Sequence, residues 1–152
     1  MPEIKTEFLF KIALQVPSIA NLGNTPYGGR RIAQVGSGTF EGPKLKGEVL
    51  PGGGDWLLLR HDDTLQLDVR LILQTDDKQL IYMTYKGFRH GPKDVIDRVN
   101  RGESVDSSLY YFRTTPYFET SSQKYDWMNR ICSIATGERS ATGPTYTVYQ
   151  VL

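Results

Sequence analysis

An acid and a base stand two residues apart in LQLDVRLILQT, residues 65–75, as Asp68 and Arg70. On an extended chain their side chains leave on the same side, with Cβ atoms roughly 6–7 Å apart. Arg113 in YYFRTT and Glu119 in YFET bring a second base and acid from later in the chain. Two such pairs can neutralise each other inside a core. An arginine left unpaired in a cavity would instead anchor a carboxylate, enolate or phenolate. Asp55 and Trp56 follow a glycine run in LPGGGDW. There an acid and an indole can form the polar floor and stacking wall of a pocket. They can equally be an Asp that closes a turn and a Trp that fills one end of the fold. In YDWMNR, residues 125–130, Trp127 can cover a flat ligand while Asn129 donates a neutral hydrogen bond. The alternative is a plug at one end and a cap for backbone groups.

These residues give two overlapping candidate sets. Asp55, Glu119, Arg70 and Arg113 are the candidates for catalysis. Trp56, Asp68, Arg70, Tyr82, Arg113, Glu119, Trp127 and Asn129 are the candidates for contact with a ligand. Which strand faces point inward decides between ion pairing and ligand binding.

Other chemistries find little support. The run Leu50-Pro51-Gly52-Gly53-Gly54 lacks the Lys-Ser/Thr pair and following helix of a phosphate loop, so it reads as a turn. The two histidines, His61 and His90, have no partners at metal-ligand spacing. His61 reads as solvated and His90 as a remote candidate for a general base. No nucleophile-elbow pattern is present. Neither a metal nor a cofactor is expected. Cys132 is the sole cysteine, which excludes an intrachain disulfide, and with Ile131 and Ile134 around it reads as a small buried hydrophobe. The formal net charge is +1, from 18 basic and 17 acidic side chains, with no long run of either sign. A nucleic-acid binder needs concentrated positive charge, and only Lys86, Arg89 and His90 form a local basic cluster. No apolar run has the length of a membrane span or signal segment. A soluble, cytoplasmic protein is the expectation.

The elements that would position these residues are strands. With 152 residues, 39% of them hydrophobic and 23% charged, the chain suits one folded domain over residues 1–152. Period-two alternation in residues 65–75 puts five aliphatic side chains on one face. Further strands are expected at residues 7–16, 30–35, 45–50, 55–61 and 80–89, with Thr39-Phe40-Glu41 leading into Gly42-Pro43. Residues 17–29, with their prolines, glycines and asparagines, read as a loop. Asp62-Asp63 and Asp76-Asp77-Lys78 bracket two hairpins. Val95, Ile96 and Val99 have helical spacing between Pro92 and Gly102, which predicts one short peripheral helix over 92–101. Strands return at 109–115 and 117–120, with a bend or edge at Pro116. A single helical turn fits 125–130, and strands at 131–137 and 145–152 close the chain. Many short strands with Gly/Pro punctuation describe an antiparallel sandwich or barrel, and a barrel leaves no long edge.

The stretch GGRRIAQVGSGTFEGPKLKGEVLPGGGDW, residues 28–56, with YYFRTTPYFET and YDWMNR in the same order, closely resembles the domain-of-unknown-function family 3237. The likeness runs from the Thr25-Pro26-Tyr27-Gly28 loop to the terminal VYQVL. It departs from the family's habit at Ser37 and at Asp77-Lys78, both turn positions. The resemblance implies a single calycin-like β-barrel of about eight to ten strands. It implies little about activity. Scattered members look associated with natural-product or aromatic-compound pathways, where cofactor-free cyclisation or isomerisation would fit.

The favoured expectation is thus a barrel, paired as a homodimer or other homo-oligomer, that binds a small hydrophobic or aromatic molecule through an arginine-carboxylate anchor. Tyr82, Tyr85, Tyr110 and Tyr111, among nine tyrosines, would make its interior aromatic. The second is a cofactor-free isomerase, cyclase or lyase using the same pocket. In it Arg70 or Arg113 stabilises an oxyanion, while Asp55 or Glu119 shuttles a proton. The third is an oligomeric interaction protein without a pocket. Nucleic acid and membrane are not expected partners.

Overall fold

Alternating burial along strands organises the molecule, a computed structural model describing residues 1–152. The strands are β1 (Thr6–Gln15), β2 (Ser18–Thr25), β3 (Gly28–Val35), β4 (Ser37–Glu41), β5 (Lys46–Leu59), β6 (Leu65–Thr75) and β7 (Leu80–His90). After helix α1 (Lys93–Asn100) come β8 (Tyr111–Glu119), β9 (Cys132–Arg139) and β10 (Pro144–Val151). Short 3₁₀ turns span Ser107–Leu109 and Asp126–Arg130. The order β5-β4-β1-β10-β9-β8-β7-β6 closes on itself through β5–β6 pairing, giving an antiparallel eight-stranded barrel. β3 and β2 extend from β5 as an added ribbon.

In β6, Leu65, Leu67, Val69, Leu71 and Leu73 are buried inside the barrel, so Asp68 and Arg70 lie on its outer surface. The same parity in β7 buries Ile81, Met83 and Tyr85 and turns Tyr82 outward. One end of the barrel is solid. Phe10 packs against Phe40 and Phe118 with ring centroids 5.6 and 5.9 Å apart, and Met128 from the second 3₁₀ turn is fully buried there.

Several expectations are corrected. Residues 45–50 and 55–61 are not two strands around a turn but one bent strand, β5, whose ladder with β6 is irregular between Leu50 and Gly54. Gly52, at φ +111°, takes a conformation few other residues reach. This bulge lets β5 pair with β4 through its first half and with β3 through its second. Residues 18–25, read as loop, form β2. Almost all of that strand is exposed, so no apolar alternation betrays it, and Pro26-Tyr27 makes a tight hairpin turn into β3. Pro116 does not divide β8. Its missing N–H falls where β8 has left β9, since those strands pair only at Arg113–Thr136 and Thr114–Ala135. Cys132 is exposed, because the inward positions of β9 are Ser133, Ala135 and Gly137. Of the four tyrosines expected inside, Tyr85 and Tyr110 are buried, whereas Tyr82 and Tyr111 are exposed.

Gly137 marks a close approach inside the barrel. A Cβ there would lie 2.8 Å from the Phe112 ring, which cannot retreat without disturbing Tyr146, packed edge-on against it at 5.4 Å. Gly137→Ala is expected to cost about 1–3 kcal/mol by overpacking, read as a lower urea midpoint with unchanged slope.

Candidate functional site

The opposite end of the barrel is hollow. A cavity of about 310 Å³ opens where β1, β3 and β9 meet the C-terminal half of β5, the start of β6 and the end of β7. Its walls are apolar, formed chiefly by Leu14, Leu57, Leu67, Val69 and Phe112. Grooves of about 690 and 680 Å³ on the outer surface are larger but lined mostly by exposed polar side chains or by strand edges. The interior cavity differs from both in holding charged groups taken out of water.

Asp55 is the acid of this cavity. Asp55 keeps the inward parity of Val49 and Leu57 in β5, and its Oδ1 accepts the backbone N–H of Asp68 at 3.0 Å. Burial raises its pKa to about 7, a rise that the Asp68 N–H and the charges of Arg89 and Arg139 only partly oppose. Asp55, Val69 and Tyr85 share one level of the ladder across β5, β6 and β7. The Tyr85 ring meets Tyr146 edge-on at 5.0 Å, and burial pushes both phenols above their ordinary range.

Three arginines face the same space. Arg89 continues the inward parity of β7, Arg31 that of β3 and Arg139 that of β9. Arg89 donates to Oδ1 of Asn100 at 2.8 Å, so the last residue of α1 fixes its position. Its Nε is buried without a partner, as is the Tyr85 hydroxyl. Burial, and then the positive charge of Arg139, pulls the Arg89 pKa below its usual value. None of the three takes part in any of the ion pairs of the molecule. An apolar chamber with three cations and one readily neutralised carboxylate is electrostatically incomplete. It can accept a negative charge and can exchange a proton near neutral pH.

Of the candidate catalytic and ligand-contact residues, only Asp55 belongs to this chamber, beside Tyr85 from the expected aromatic interior. Trp56 points outward, and the Arg70 guanidinium stacks over its ring at 5.0 Å. Asp68, Tyr82, Glu119 and Arg113 lie on the outer face of β6, β7 and β8. Arg113 donates to the Phe112 carbonyl at 2.9 Å and stands over the Tyr111 ring. Trp127 packs against the core beneath the Lys44 ammonium. Asn129 accepts from the Thr120 N–H at 2.8 Å and donates to its carbonyl at 3.0 Å, so it caps the backbone. His90 is exposed and stacks on Tyr111. No group of three or more metal-binding side chains is present, and no helix is long and apolar enough to cross a membrane.

Arg31, Arg89 and Arg139 were not reached by the sequence reading as cavity residues. Extending the period-two parity of β7 and β9 towards their ends would reach Arg89 and Arg139, and carrying the parity of Ala33 and Val35 back along β3 would reach Arg31.

Comparison with known proteins places this architecture. A UPF0311 protein of Rhodopseudomonas palustris is 32% identical over 151 residues, covering 99% of both chains. Its crystal structure, described as a conserved protein of unknown function, matches with a TM-score of 0.95 over the whole of both chains. A β-barrel-like protein of Acinetobacter baumannii is 36% identical, with a TM-score of 0.87 over 100% of this chain and 98% of that one. An enzyme from Penicillium herquei, 20% identical with a TM-score of 0.76 over 100% and 98% of the two chains, shares the fold. Residues 4–151 match the model of the family described as protein of unknown function DUF3237, and the chain is a member of that family.

Proposed function

We propose that the barrel binds a compact acidic molecule with an apolar, preferably aromatic, body. The observation that carries this reading is the buried, partnerless Nε of Arg89 in a largely apolar cavity that Arg31 and Arg139 also line. A guanidinium offers a planar fork of donors to a carboxylate or phenolate, and burial strengthens that contact. Phe112 and the aliphatic wall would hold the ring, and the cavity volume lies at the lower end for ligand sites. The expected anchor is thus an arginine–carboxylate chamber, built on Arg89 and Asp55 rather than on Arg70 and Arg113.

A second reading is supported by Asp55, whose pKa near 7 suits reversible proton transfer. In it the Asp55 carboxylate takes a proton from a bound carbon acid or hydroxyl and returns it elsewhere on the same molecule. The arginines would hold the oxyanion formed in between. This is isomerisation or cyclisation without a cofactor, and binding without turnover separates it from the first reading.

Titration calorimetry with 1-naphthoate and its neutral analogue 1-naphthamide tests the binding reading. The acid is expected to bind at least tenfold tighter, the worth of about 1.4 kcal/mol. Equal affinity, or binding of neither, would refute an anionic anchor.

A further inference from the structure

Asp68, Arg70, Tyr82, Arg113 and Glu119 have no role in the chamber, yet they share one exposed face across β6, β7 and β8. None of the four charged residues among them makes an ion pair within the chain. The face is rich in the side chains that anchor protein contacts. Tyr82, Phe88 and Tyr117 are 39%, 42% and 57% exposed, and Ile72 is 38% exposed.

The register makes this face complementary to itself. Val69, Tyr85 and Pro116 stand on one rung across the three strands. About that rung three outward pairs stand in mirrored positions. Asp68 mirrors Arg70 on β6, Phe88 mirrors Tyr82 on β7, and Arg113 mirrors Glu119 on β8. A twofold axis along the rung, lying in the plane of contact, reverses each strand over its own copy. Arg113 then meets Glu119 of the second copy, Asp68 meets Arg70, and Phe88 meets Tyr82. Each of these four charges meets one of opposite sign, while Lys86, the fifth charge of the face, falls over Thr84.

We infer that this chain forms an isologous homodimer through the outer face of β6, β7 and β8, with Arg113 paired to Glu119 across the twofold axis. The second copy is the one partner that necessarily carries the reversed pattern in the same register. The two chambers would remain open, since they face the barrel interior.

Sedimentation equilibrium of wild type, Arg113→Glu, Glu119→Arg and the double exchange tests the pairing. Wild type is expected to dimerise. Each single reversal sets like charges against each other twice in the interface, and is expected to weaken dimerisation by at least tenfold. The double exchange restores opposite charges and is expected to recover most of the loss. Asp68→Arg, Arg70→Asp and their double exchange provide an independent cycle on β6. All these positions are on the outer surface, and unchanged thermal melting of the diluted protein would verify folding. A monomeric wild type, a dimer indifferent to the single reversals, or failure of both double exchanges to rescue would overturn the inference.

Discussion

Asp55→Asn is expected to stabilise the protein by roughly 4 kcal/mol at pH 8, and by less than half of that at pH 5. The native Asp55 carboxyl has its pKa raised from 3.8 to about 7 by burial. Between those values the native protein holds a proton that the unfolded chain has released. Stability therefore falls as pH rises through this window, by about 1.4 kcal/mol per unit, and is lowest above pH 7. An asparagine cannot ionise, and its Oδ1 can still accept the Asp68 N–H. It removes the whole penalty at pH 8 and the smaller part already incurred at pH 5. Urea unfolding of both proteins at the two pH values measures the difference. A constant offset between pH 5 and pH 8 would show that Asp55 is ionised throughout and held by the arginines.

Arg89→Met is expected to weaken 1-naphthoate binding by about 100-fold while hardly altering 1-naphthamide, since removing a charged hydrogen bond costs on the order of 3 kcal/mol. The protein itself should tolerate the change. Arg89 is a buried cation beside other cations, and a methionine fills similar space without the burden of desolvation. Calorimetry on wild type and variant reads both affinities. A linked result follows from Asp55. When it ionises above pH 7 it becomes a negative neighbour of the bound carboxylate, so wild-type affinity for the acid is expected to decline from pH 6 to pH 8. In Asp55→Asn that decline should vanish. Equal losses for acid and amide in Arg89→Met would mean that the residue shapes the cavity rather than recognising charge.

The two results depend on a chamber that the sequence revealed unevenly. Barrel and helix were legible because Leu65 to Leu73 alternate without interruption and Val95, Ile96 and Val99 keep a helical spacing. The resemblance of residues 28–56 to its family then supplied the closure of the sheet. What remained hidden has a common cause. Asp68 and Arg70 attracted attention because they interrupt an apolar pattern in mid-strand, but the interrupting parity is the one that faces water. Two of the chamber's arginines, Arg89 and Arg139, sit at strand ends, where a charge reads as the polar boundary of the element. Arg89 closes IYMTYKGFR, and the small residues at 133, 135 and 137 that lead to Arg139 carry too little hydrophobicity to declare an inward face. Asp55 was found for a local reason, its place after the glycines. Those glycines form a bulge within one strand, and the bulge shifts the register so that Asp55 stands opposite Val69.

A crystal structure of the protein grown with 1-naphthoate tests the central claim most directly. The carboxylate is expected on the Arg89 guanidinium, within hydrogen-bonding distance of Nε, and the ring against Phe112 inside the barrel. A probe seated instead in the outer groove beside Arg113, with the chamber unchanged, would contradict it.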